Sequence, residues 1–93
     1  MRHVIVTDHA ADRFRLRFPE GRAWPIDRIR RILRMLALCG DAGHAPDRKH
    51  GRIMWGDGSH SHCVLVVREA TTAAPLVVVT VINPMADAAP AET

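Results

Sequence analysis

The apolar positions of this chain follow two regimes. Between Asp8 and Cys39 they recur every three or four residues; between Arg52 and Ile82 they come as short runs or alternate with polar residues. The first pattern marks helices and the second marks strands. Ahead of both, His3-Val4-Ile5-Val6 reads as a short strand, and Thr7 stands where a helix N-cap belongs. A helix over Asp8–Phe18 places Ala10, Ala11, Phe14 and Phe18 on one face, with Asp8 in its first turn and Arg15 and Arg17 in its last, as the helix dipole favours. Pro19 and Gly21 stop it. The chain restarts at Trp24-Pro25 into a second helix that runs to about Cys39, with Ile26, Ile29, Ile32, Leu33 and Leu36 inward and Gly40 as its stop.

The strand regime opens after a loop-like stretch, Asp41 to His50. Arg52–Gly56 and Ser59–Val67 flank Asp57-Gly58, the dipeptide favoured in a two-residue hairpin turn. That turn pairs Trp55 with His60 and Ile53 with His62 on one face, and Arg52 with Cys63 and Met54 with Ser61 on the other. A second turn over Thr71–Pro75 leads to a strand over Leu76–Ile82, with Val77, Val79 and Val81 expected to face the core, and Asn83-Pro84 ends it. The resulting class is α+β: strand, helix, helix, then a three-stranded antiparallel sheet with both helices packed on one sheet face. Residues 1–84 form one domain, and the Ala/Pro-rich residues 85–93 are expected to be a disordered tail.

At 93 residues, a second domain is not expected. The longest apolar stretches, Ala73–Ile82 and Cys63–Val67, fall short of the ~20 residues a membrane helix needs. Met1-Arg2-His3 leads directly into the first strand, so no signal peptide and a cytoplasmic location are expected. Cys39 and Cys63 make no CxxC site and are expected to be reduced, buried and inert. Charge changes the picture more. The net is +3, but residues 1–40 carry nine Arg against four acids, and residues 41–93 carry four bases against six acids. Twelve of the thirteen bases are Arg, whose planar fork pairs bidentately with phosphate, so the Arg-rich half suits a nucleic-acid partner. A GC-rich genome would also favour Arg over Lys without explaining the clustering.

Three groups of residues can carry chemistry. His9, Arg13 and Arg17 recur at i, i+4 and i+8, forming one ridge in which an imidazole moves protons and two guanidiniums hold a phosphate. The same ridge also reads as a solvated helix flank. Arg30, Arg34, Lys49, His60 and His62 extend a candidate nucleic-acid surface, and His50 lies beside them. His60 and His62, at period two on a strand, would bind a metal only with a third ligand such as His44, His50 or Asp47, and no specific zinc motif is present. No metal and no cofactor are therefore assigned. Trp55 reads either as a base-stacking platform or as core. Thr80 interrupts the last apolar strand, as a functional hydroxyl or simply as a good strand residue.

The run Val4-Ile5-Val6-Thr7-Asp8-His9-Ala10-Ala11-Asp12-Arg13-Phe14-Arg15-Leu16-Arg17-Phe18 has the form of a strand followed by H-A-x-x-R-x-x-x-R-F. With the closing Leu76-Val77-Val78-Val79-Thr80-Val81-Ile82, it resembles small phage and toxin-associated proteins of the barnase–EndoU–colicin–RelE-like superfamily. The order of elements over residues 3–83 is similar to the RelE/ParE toxin fold. The resemblance implies a metal-independent ribonuclease, with His9 as acid or base, Arg13 and Arg52 as phosphate clamps and Thr80 as the strand hydroxyl. The chain departs from the pattern in having no Tyr and no Glu at the implied site. The expectation is thus a small RNA-engaging protein, a candidate endoribonuclease. The alternative is a non-catalytic phage- or toxin-system protein bound to an antitoxin or a host complex.

Overall fold

A computed structural model describes residues 3–42, 47–69 and 74–85. In chain order the elements are β1 (Val4–Val6), α1 (Asp8–Arg17), a 3-10 turn (Pro19–Gly21), α2 (Ile26–Cys39), β2 (Asp41–Ala42), β3 (Arg48–Met54), β4 (His60–Arg68) and β5 (Leu76–Ile82). The expected α+β class holds, with two helices. The sheet is larger than the expected three antiparallel strands and is mixed: its order is β1-β5-β4-β3-β2, with β1 parallel to β5 and the other pairs antiparallel. His44, the Thr71 end of the second turn and the tail beyond Met85 lie outside the described residues. No helix among the described residues is long and apolar enough to cross a membrane.

The first helix forms where its signals stand. The Thr7 side chain accepts from the Ala10 N–H at 3.1 Å, capping α1. Its hydroxyl lies 3.0 Å from the Val78 carbonyl and 3.2 Å from the Val79 carbonyl and donates to this pair, tying the start of α1 to β5. Ala10, Ala11, Phe14 and Phe18 are buried together with Ile29, Leu33, Leu36 and Ala37 of α2. Both helices join one core with Val4, Val6, Ile53, Cys63, Leu65, Val67, Leu76, Val78 and Val81, so they cover the same face of the sheet. Ile26, expected inward, is exposed in the first turn of α2, and Ile32 is half-buried at the core margin.

Two parity changes separate the strands from their expected pairing. In the hairpin, the Trp55 N–H donates to the Ser59 carbonyl at 2.8 Å and the Gly58 N–H to the Trp55 carbonyl at 3.0 Å. The loop therefore holds three residues, Gly56-Asp57-Gly58, with Gly58 at φ +88°, where a side chain would be strained. The Ser59 hydroxyl and then its N–H, at 2.6 and 2.9 Å from Asp57, brace the turn and hold that carboxyl below its ordinary value. The extra loop residue moves the register by one: Met54 faces His60, Ile53 faces Ser61, Arg52 faces His62 and Gly51 faces Cys63. The second change is a bulge in β5. Val66 pairs with Thr80 and Val67 with Val78, which leaves Val79 without a partner on β4. Leu76, Val78 and Val81 consequently face the core, while Val77 and Val79, expected there, are half-buried.

All four aromatic rings of the chain meet in this core. Phe14 stacks on Phe18 and Trp24 at 5.2 and 5.9 Å, and Trp55 lies 5.2 Å from Trp24 and 6.4 Å from Phe18. Gly21 closes the cluster from the 3-10 turn: a Cβ there would lie 2.6 Å from Phe14 Cε1 and 3.4 Å from Trp55 Cζ3. Since Phe14 is fully buried and has nowhere to move, Gly21→Ala is expected to cost about 1–3 kcal/mol in urea-melt stability. Gly56→Ala, with open space around it, is expected to stay within about 0.5 kcal/mol of wild type.

Candidate functional site

The shifted hairpin register decides which side chains share the exposed face of the sheet. Because Trp55 with Ser59, and Asp47 with Val67, are joined by backbone hydrogen bonds, the odd positions of β3 bond to β4. Arg52 and His62 therefore form a non-hydrogen-bonded pair, with Cα atoms about 4.5 Å apart and side chains side by side. Both project away from the helices, since Ile53 and Cys63 beside them are in the core. His50 precedes Arg52 by two residues and shares its face, and Asp41 of β2 pairs with His50.

Asp41, His50, Gly51, Arg52 and His62 line one concavity. It continues around the edge of β3 into a cleft of about 380 Å³ walled by Met35, Leu36, Cys39 and Gly40 at the end of α2. Two glycines make this possible. Gly40 leaves α2 with an extended backbone, and a Cβ on it would lie 2.5 Å from the Leu36 carbonyl oxygen and 2.9 Å from that of His50. A Cβ on Gly51 would lie 2.5 Å from Leu36 Cδ2. The helix end thus lies directly against β3, and the chain enters β2 without a wider turn.

The residues expected to act together do not meet. His9 and Arg13 belong to α1, exposed and half-buried respectively, within the helical layer. Arg52 and Thr80 lie on the opposite face, so the sheet stands between them and His9. Thr80 is also remote from Arg52. It shares a row with Val66 and Arg48, four residues along β3, which is about 13 Å of strand. The Arg17 carbonyl accepts from the Asn83 side-chain amide at 2.7 Å, which fastens the end of α1 to the end of β5.

Arg30 and Arg34 serve β1. Arg30 donates to the Val6 carbonyl and pairs with the Asp8 carboxylate, and the Arg34 Nε is 3.5 Å from the Val4 carbonyl. These are the carbonyls of β1 that point away from β5. Lys49 faces Leu65 and so lies on the helix side, opposite to Arg52. His60 and His62 share the outer face, with rings 6.4 Å apart and edge to face. Among the described residues no three His, Cys, Asp or Glu side chains are grouped to hold a metal ion. Trp55 is core: its ring is buried and its Nε1–H donates to the Ser61 hydroxyl at 2.8 Å.

Sequence reasoning missed Asp41 and Cys39 at this site. A two-residue strand has no periodicity to detect, and only the Gly40-Asp41 step after the helix marks the close approach. No family model matches the chain, and no curated protein or solved structure matches it.

The two thiols differ sharply. Cys63 is buried in the core, and burial pushes its thiol up to about 12. Cys39, expected to be buried, is exposed because it lies one turn beyond Leu36, past the inward stripe of α2. One thiol per folded chain is therefore expected to react with an aromatic disulfide reagent at pH 8, and two after denaturation. The folded chain keeps the Cys63 proton where the unfolded chain loses it. That contribution to stability is intact below about pH 9 and is lost as pH rises towards 12, which urea melts across this range will show.

Proposed function

We propose that this protein engages RNA through the outer face of its sheet, with the β3 edge as its centre. The convergence of Arg52, His50 and His62 on one concavity carries this reading. The Arg52 guanidinium offers a planar fork that can hold a phosphate, and the two imidazoles flank it. The same three side chains suit metal-independent cleavage. One imidazole takes the ribose 2′-OH proton, O2′ attacks phosphorus, the P–O5′ bond breaks, and the other imidazole protonates O5′. Arg52 opposes the charge on the pentacoordinate phosphorus. The products are a 2′,3′-cyclic phosphate and a 5′-hydroxyl. The succession β1–α1–α2 followed by antiparallel strands supports a RelE-like fold and a place among toxin-type ribonucleases of the cytoplasm.

A second reading has an observation of its own. His9 is separated from Arg52 and Thr80 by the sheet, so the catalytic set implied by the family resemblance is not assembled. That favours a protein that holds RNA or a protein partner, such as an antitoxin or host complex, without cutting.

Binding is tested with a fluorescent single-stranded RNA across a salt series. Arg52→Ala is expected to weaken binding about tenfold or more and to flatten the salt dependence by about one phosphate contact. Wild-type affinity in that variant overturns the reading. In EDTA, cleavage yielding cyclic-phosphate ends is expected to disappear in His50→Ala and His62→Ala and to persist in His9→Ala. RNA bound and left intact by wild type decides for the holder.

A further inference from the structure

The outer face of the sheet has two halves, and the concavity around Arg52 uses only one of them. With Cys63, Leu65 and Val67 turned to the core, Val64 and Val66 of β4 turn outward, and Ile82 and Thr80 of β5 stand opposite them. Ile5 of β1 also faces outward, 42% exposed, beside Val77. An apolar strip over β1, β5 and β4 thus adjoins the basic group of Arg48, His50, Arg52 and His62 on β3 and β4. β5, Leu76–Ile82, carries no charged residue on either face. A strand apolar on both faces belongs to a sheet covered on both. Both helices lie on the other side, so among the described residues no helix covers this strip.

We infer that residues 86–93 of the same chain, Ala-Asp-Ala-Ala-Pro-Ala-Glu-Thr, lie back over this strip and pair with the arginines of β3. Position and reach allow it. The chain leaves β5 beside Ile82, opposite Val64 and towards the His62 end of β4. Eight extended residues span about 26 Å, and β3 is two strand spacings, about 10 Å, from β5. Charge selects the path. The segment has two acids, Asp87 and Glu92, and no base, whereas Arg48 and Arg52 line β3. The acids are five residues apart, about 16 Å when extended, and the two arginines four apart, about 13 Å. Asp87 therefore meets Arg52, and Glu92 reaches the row of Arg48, which keeps donors beyond its 2.7 Å contact with Asp47. Ala88, Ala89, Pro90 and Ala91 then cover Val64 and Val66, where a shallow surface takes only small side chains. A second copy fits less well. Val64 is buried and Val66, Val77, Val79 and Ile82 are half-buried, so the strip leaves on the order of a few hundred Å² in water, below the ~800 Å² per partner of a stable interface. A tethered segment needs less, because its link removes the cost of association. The docking is independent of RNA. Its consequence, a shield over Arg52, rests on the RNA-engaging reading above.

The test places a nitroxide on Thr93→Cys in a Cys39→Ser chain, where the remaining thiol, Cys63, is buried. Amide signals of Arg48, Val66 and Thr80 are expected to lose most of their intensity, while those of α1 and α2 keep theirs. Full intensity across the sheet, or even loss over the whole molecule, overturns the inference. Broadening that also reaches isotope-labelled chains without nitroxide, mixed with unlabelled chains that carry it, assigns the strip to a second copy and overturns it too. In Asp87→Asn/Glu92→Gln, and in wild type at high salt, the intensity is expected to return. Unchanged broadening in either overturns the inference, because the pairing with Arg48 and Arg52 is then absent. Single-stranded RNA is expected to restore the signals as it takes Arg52. RNA that binds and leaves the broadening in place overturns the shield. RNA that does not bind, even to Asp87→Asn/Glu92→Gln, overturns the RNA-engaging reading and leaves the docking standing on the other measurements.

Discussion

The interlocking of Phe14, Phe18, Trp24 and Trp55 is the contact on which the rest of the molecule depends. The four rings come from α1 and its C-cap, from the segment before α2 and from the end of β3, and in a chain this small they are the largest apolar groups to bury. By packing together they set the distance between helical layer and hairpin. The guanidinium of Arg28 lies over the Trp24 ring at 4.2 Å, closing the cluster from the solvent side. Trp55 enters the cluster only because the hairpin loop has three residues. A two-residue loop would have put Trp55 opposite His60, and one register step carries every side chain of a strand to the other face. The core therefore selects the register, and the register in turn brings Arg52 and His62 together on the outside.

How much of this was legible varies with the length of the signal. α1 was readable almost to the residue, because Thr7, Asp8 and the spacing of Ala10, Phe14 and Phe18 all agree. The hairpin was readable as a hairpin but not in register, since Gly56-Asp57-Gly58 is compatible with a two- or a three-residue loop and only burial of Trp55 chooses. The phase of β5 was not readable at all. Val77-Val78-Val79 contains no polar residue to mark which side faces water, and the bulge at Val79 answers to Thr7, whose hydroxyl bonds to that turn of the strand from 72 residues away.

The site shows the same division. Arg52 and His62 are identifiable as basic strand residues, but their adjacency follows from the loop, and their meeting with Asp41 follows from Gly40 and Gly51 letting α2 approach the sheet. The ridge of His9, Arg13 and Arg17 was visible by spacing, yet spacing along a helix says nothing about which layer the helix joins. Arg30 and Arg34, equally visible as cations, are held by backbone carbonyls and the Asp8 carboxylate.

Those two arginines have a consequence for assembly. A filament of stacked sheets requires each molecule to offer two usable strand edges, one to receive a neighbour and one to extend. With Arg30 and Arg34 seated on the outward carbonyls of β1, that side of the sheet cannot receive a strand without first giving up both contacts. Growth by edge pairing is left with the opposite side alone. Every further junction would have to displace these two side chains, so the guarded β1 edge works against open-ended growth while the β3 edge stays exposed.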